Sequence, residues 1–280
     1  MPVTEIIVVR HADRHHWIVD TIDKQYLSAQ SNPTGISTDP ALTPHGVFQS
    51  DEVAVALDRL LPSAPSSDKL VVFSSAFYRC LETIAPTIRN LRQRDWSGQV
   101  YLEVGFGEWF GTDVLEHPPP AEAAIIHARH FDFVHQTYQS QSPFTSGPES
   151  YEQLRARTET ALTTAIAHAE SIGEDDINDR NVSLVIIAHT AIVIMIGRIL
   201  TRHWPENHGE QDFKCFLAGI SHFKRRLAED NWEVLMNSDC THLIGGAEGG
   251  WYFGKPHVQD QRIVRGKDGK PMLTNDYCLK

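Results

Sequence analysis

The stretch Glu5-Ile6-Ile7-Val8-Val9-Arg10-His11-Ala12-Asp13-Arg14 decides how the rest of the chain is read. An apolar, β-branched run ends abruptly in two arginines, an imidazole and a carboxylate. Unbroken runs of this kind, as opposed to alternating ones, mark strands buried on both faces. Three more have the same character: Lys69–Phe73, Gln99–Leu102 and Val182–Ala188. Between them lie stretches that predict helices: Thr43–Leu61, Ser75–Leu91, Tyr151–Ile172 and Thr190–Thr201. Thr43-Pro44 opens the first as cap and first-turn proline. Strands alternating with helices give an α/β fold, a three-layer α/β/α arrangement with a mostly parallel central sheet. Ser221–Arg225 and Trp232–Met236 are two possible strands extending that sheet.

In such sheets ligands gather just beyond the carboxyl ends of the strands. Arg10-His11, Ser74–Arg79, Glu103–Gly107 and His189 all fall there. Residues dispersed in sequence are thus expected to share one sheet edge. Two long irregular stretches, about 14–40 and about 110–150, are expected to line the site, the second with a helical piece near Ala121–Tyr138. Residues 1–280 are expected to form a single domain with that insert.

With 280 residues and 41% hydrophobic content, the chain can bury a sizeable core. Its net charge of −11 excludes a broad nucleic-acid face. A few arginines in a pocket can still bind an anion, because salt screens the distant surface over roughly 8 Å. Cys80, Cys215, Cys240 and Cys278 lie far apart and form no CxxC pair, which predicts reduced thiols. The start lacks the features of a signal peptide. The apolar run around Val182–Leu200 is broken by His189 and Arg198. A cytoplasmic or nuclear location without membrane contact is expected.

A transferred phosphoryl group needs convergent cations, an in-line nucleophile and a proton donor for the leaving oxygen. Arginine suits the first role through paired hydrogen bonds, and neutral imidazole can serve as the second. Arg10, Arg14 and Arg79 are candidate clamps, His11 and His189 candidate imidazoles, and Glu103 or Glu108 the candidate acid. Asp13, His15 and His16 lack a defined metal-ligand spacing, so neither a metal nor a cofactor is expected. Neither Cys80 nor Cys240 begins a C-x5-R arrangement, and no G-x-S-x-G elbow occurs.

Arg10-His11 after its strand resembles the RHG motif of the histidine phosphatase superfamily, the phosphoglycerate mutase-like proteins. Four more segments are similar to that family's motifs, in order: Ala41–Gln49, Ser74–Thr83, Glu103–Trp109 and Ala188-His189-Thr190. The resemblance implies that His11 is the phosphorylated nucleophile and that Arg10, Arg14, Arg79 and His189 bind the phosphate. It also implies that Glu103, aligned with the family's acid, is the proton donor. Ala12 and Thr190 stand where the family has glycine, which puts full turnover in question. The Arg10–Arg14 spacing, Trp17 and the Pro33–Gln49 segment resemble the Sts-type and ecdysteroid-phosphate phosphatases. Phe77–Thr83 with Gly107-Glu108-Trp109 resembles still more the fungal proteins related to the tau55 subunit of transcription factor IIIC. A stand-alone paralogue of that branch is expected.

The expected function is a metal-independent phosphomonoesterase of the histidine acid phosphatase type, acting on a phosphorylated small molecule or phosphopeptide. The alternatives are a phosphomutase, or a weakly active or inactive module used for assembly with a protein partner.

Overall fold

The computed structural model describes residues 2–28, 32–62, 66, 69–112, 117–172, 181–226, 231–255 and 261–275. The acidic stretch Glu174-Asp175-Asp176 and Cys278 lie outside them. Four strands form the parallel part of the central sheet: β1 (Val3–Arg10), β4 (Leu70–Ser74), β5 (Val100–Leu102) and β6 (Val182–Ala188). Their order is β5-β4-β6-β1. β7 (Ile220–Arg226) joins antiparallel beside β1, and β8 (Asn231–Asp239) closes that edge antiparallel to β7. The expected α/β fold class is the one observed.

The alternation within β1 shows why the sheet is covered on both faces. Ile7 and Val9 pack with α1 (Pro44–Leu60) and α2 (Tyr78–Arg92), whose contributions include Val53, Leu57, Leu81 and Ile84. Ile6 and Val8 point the other way, to α4 (Tyr151–Ile172) and α5 (Thr190–Thr201), among Leu154, Ala161 and Ile192. A one-residue slip would exchange the two faces, but each holds shape-matched apolar partners, so the register is fixed. Strands and helices enter the edge at Arg10, Ser74, Leu102 and Ala188, which places the ends of β1, β4, β5 and β6 side by side.

Two local expectations are revised. The second helix begins at Tyr78, not Ser75, because the Ser75 amide still bonds the Ile187 carbonyl as the strand would. The Asp39 carboxylate reaches across to accept from the Tyr78 amide at 2.8 Å and so caps the helix from another segment. The helical piece within 121–138 is one short helix, α3 (Ala123–Arg129).

The stretch from 14 to 40 contains a hairpin, β2 (Trp17–Asp20) with β3 (Gln25–Ser28). Asp20 accepts from the amides of Ile22 and Asp23, and Lys24 takes φ +53°, which turns the chain. β9 (Gln261–Arg265) and β10 (Pro271–Asn275) add to this hairpin, giving a second sheet of order β10-β9-β2-β3. No helix among the described residues is long and apolar enough to cross a membrane.

Candidate active site

His11 leaves the end of β1 with its ring almost wholly buried. Its Nδ1 lies 2.8 Å from the Ala12 carbonyl, which can only accept. That bond places the proton on Nδ1 and leaves Nε2 as the basic nitrogen. Burial first, then the charges of Arg79 and Arg10 and the neighbouring His189, hold the pKa well below the usual histidine value. The ring is therefore neutral at neutral pH, with Nε2 unprotonated.

The loop after His11 is fixed by the start of α1. The Thr43 hydroxyl donates to Asp13 Oδ2 at 2.6 Å, and the Thr43 amide to the Asp13 carbonyl at 3.0 Å. Here Gly46 is required: a Cβ on it would stand 1.9 Å from the Asp13 carbonyl oxygen. Ala12, standing where the family has glycine, is accommodated. Its amide donates to Thr83 Oγ1 at 3.0 Å, and neither it nor Thr190 is among the positive-φ residues. The extra Cβ therefore meets no left-handed backbone.

The other candidates gather around this ring. His189, at the N-cap of α5, lies edge-on to His11 with centroids 5.2 Å apart. Its Nε2 is 2.8 Å from Ser75 Oγ, and its Nδ1 is 3.3 Å from both Glu108 Oε2 and Arg79 Nη2. Burial, reinforced by Arg79 and opposed by Glu108, lowers its pKa to about 4. Arg79 is fully buried on the first turn of α2. It donates to Glu108 Oε2 at 3.2 Å and to the Thr38 carbonyl at 3.2 Å, with Asp39 Oδ1 3.7 Å away.

Arg10 is held by the carbonyls of Gly249 at 2.6 Å and Cys215 at 3.2 Å. The Nε–H groups of Arg10 and Arg79 are both buried without an acceptor. Such donors cost about 1–3 kcal/mol each, and an anion would satisfy both charge and hydrogen bonding. Arg14 is half-buried, donates to the His15 carbonyl and lays its guanidinium 3.7 Å over the Trp17 ring. Cys80 is buried behind Arg79, with Sγ 3.6 Å from His189 Nε2.

Glu103 is not brought into this cluster. It is fully buried, and both its oxygens are taken up by its own turn and by the segment 138–142. Oε1 accepts from Ser140 Oγ and the amides of Gly105 and Ser142, and Oε2 from the Tyr138 hydroxyl and the Gln141 amide. Glu108 takes the position beside the imidazoles instead. Burial opposes its ionisation, but His189, Arg79 and His11 outweigh that and hold it well below the usual carboxylate range.

His11, Glu108 and His189 also bring three possible metal-ligand atoms within 4.8 Å of one another. Arg79 stands 3.2 Å from Glu108 and 3.3 Å from His189, so a divalent cation there would face a permanent positive charge. The donor set suits an anion better.

Ser75 and Asp39 are functional neighbours that sequence reasoning missed. The doubled serine before Phe77-Tyr78-Arg79 was the available signal for Ser75. Asp39 had none, since it sits in a loop remote in sequence from α2.

A family model for the histidine phosphatase superfamily (branch 1) matches residues 6–239. The chain is 37% identical over 113 residues to the transcription factor tau 55 kDa subunit of Saccharomyces cerevisiae. That match spans 40% of this chain and only 22% of the yeast protein. Among solved structures, it is similar to the ecdysone phosphate phosphatase of Bombix mori in complex with tungstate, with a TM-score of 0.59 and 18% identity. The match covers 83% of this chain and 92% of that one. A mycobacterial glucosyl-3-phosphoglycerate phosphatase gives a TM-score of 0.50 at 15% identity, covering 84% and 98%. At such identities these structures speak to fold alone, and the family match carries the assignment: the chain belongs to the histidine phosphatase superfamily.

Proposed function

We propose that the protein is a phosphomonoesterase that acts through a phosphohistidine on His11 and needs no metal ion. The observation that supports this best is the tautomer of His11. Its Nδ1 is tied to the Ala12 carbonyl, which leaves Nε2 basic beside Arg79, Glu108 and His189. In this reading the phosphate is held by Arg10, Arg79 and His189, with Arg14 completing the clamp under Trp17. His11 Nε2 attacks phosphorus in line as the ester P–O bond breaks, and a carboxylic acid delivers its proton to the leaving oxygen.

Glu108 is assigned that role in place of Glu103. A general acid must come within about 2.6–3.2 Å of the leaving oxygen, and Glu103 is already saturated by neutral donors elsewhere. Glu108 is ionised in the free site. A phosphate dianion bound to Arg79 competes for the charge that keeps it so, which favours proton uptake on Glu108. In the second step water attacks phosphorus and Glu108 takes its proton. The N–P bond breaks, inorganic phosphate leaves, and His11 is restored neutral.

Rapid acid-free quenching with a labelled phosphate ester, followed by peptide mapping, tests the proposal. The expected result is label on the peptide carrying His11, stable to base and labile to acid, and unaffected by EDTA. Label elsewhere, undiminished turnover in His11→Ala, or full dependence on added metal would overturn it.

A second reading has one observation in its favour, the 37% identity to a transcription factor subunit. It makes the chain a phosphate-binding module for protein assembly in the nucleus. Phosphate binding without turnover, together with a stable protein partner, would support it over the enzyme.

A further inference from the structure

Beside the cluster lies a pocket partly open to solvent, and Glu108 and Phe77 belong to both. Phe77 stands edge-on to His189 at 5.2 Å. Phe110 follows 6.3 Å from Phe77, His117 lies 3.9 Å from Phe110, and Phe144 lies 5.3 Å from His117. An aromatic wall therefore runs outward from the imidazoles.

The cavity has little to offer an anion. Burial lowers the His117 pKa, so its ring is neutral at neutral pH. Arg157 also lines it, but its Nε and Nη2 each donate to Glu149 at 2.7 Å. Its Nη1 donates to the carbonyls of Gly105 and Gly107. That pair is internally neutralised, so neither of its members is free to hold a carboxylate.

We infer that this cavity receives the leaving group of the phosphate ester and selects a neutral apolar ring over a carboxylate-bearing group. The inference rests on the proposed function and deepens it, because the ester oxygen that Glu108 must protonate is the atom joining phosphorus to that group. A proton donor lining the cavity is thus placed where the leaving group would sit. Gly147 gives a way to fill the space: a Cβ on it meets nothing within 4 Å, and its φ is not in the left-handed region.

Non-hydrolysable phosphonates separate this inference from turnover and from leaving-group reactivity. Calorimetry on the full chain would compare inorganic phosphate, naphthylmethylphosphonate and phosphonoacetate. Naphthylmethylphosphonate is expected to bind about tenfold or more tighter than phosphonoacetate, as burial of a ring face predicts. Gly147→Trp should erase that preference and Phe144→Ala should reduce it, with phosphate affinity unchanged in both. Equal binding of the two phosphonates, or a preference that survives both variants, would overturn the inference while leaving the phosphate site intact. Loss of phosphate binding in the unaltered chain would instead overturn the proposed function, and the inference with it.

Discussion

The turn at Glu103 and the rim at Glu108 belong to one short segment, yet their two carboxylates live in opposite surroundings. Glu103 is buried among neutral donors, accepting from two amides and the hydroxyl of Ser140 through one oxygen. Tyr138 and the Gln141 amide occupy the other. Glu108 faces Arg79 at 3.2 Å and His189 at 3.3 Å and lines an open cavity. Neutral donors in a closed shell stabilise a carboxylate and leave it nothing further to do. A carboxylate balanced against cations changes its proton affinity whenever an anion arrives. On the proposed function, the difference separates a carboxylate that holds the 138–142 segment from one that moves a proton.

Exchanging either side chain for its amide should break the pair apart. In Glu108→Gln, kcat is expected to fall by about 10²- to 10⁴-fold, the usual range for losing a general acid, with the fold retained. Steady-state kinetics on an alkyl phosphate would show it, and a change below about threefold would contradict the assignment. Glu103→Gln should behave oppositely. Turnover per folded molecule stays close to the starting value, while stability drops by about 1–3 kcal/mol as one of the buried donors loses its acceptor. Denaturant midpoints with unchanged slope measure that loss.

A smaller effect sharpens the comparison through pH. His11 and His189 are neutral in the folded protein, the second down to about 4, against about 6.5 for a free imidazole. Between those values the unfolded chain binds protons that the folded one does not. Stability contributed by these rings is complete above pH 6.5 and is lost as pH falls towards 4. Asp39 runs the other way: burial lifts its carboxyl to about 6, so the folded state takes up that proton first and offsets part of the loss. The thermal midpoint should therefore decline on acidification through this window, less so in His189→Asn. For activity, once the second ionisation of the phosphate ester itself at about pH 6 is factored out, the acid limb of kcat/KM is expected well below pH 6.5. A limb at that value would mean an ordinary, solvated histidine.

Much of the fold was legible because it rests on local pattern. The runs at 5–9 and 182–188, the cap at Thr43-Pro44 and the helix over 151–172 recur in the structure with little change. The convergence at the sheet edge followed from the place of these residues just past the carboxyl ends of parallel strands. The choice between Glu103 and Glu108 was hidden, since it depends on whether a side chain meets the 138–142 segment or Arg79, and both contacts are distant in sequence. The hairpin at 17–28 was hidden too. Its strands are four residues each, and β2 also pairs with a strand distant in sequence, where Val19 lies in register with Arg262. The cap of α2 by Asp39 has the same cause: helix starts are read from adjacent residues, and this one is completed by a loop.

The dependence of kcat/KM on the acidity of the leaving alcohol tests the division of labour most directly. A series of phosphate esters, from nitrophenyl to alkyl, would be compared in the unaltered chain, Glu108→Gln and Glu103→Gln. A shallow dependence is expected in the unaltered chain and in Glu103→Gln. Glu108→Gln should show a steep one, with nitrophenyl phosphate nearly spared because its leaving oxygen needs no proton. A steep dependence in Glu103→Gln and a shallow one in Glu108→Gln would contradict that division.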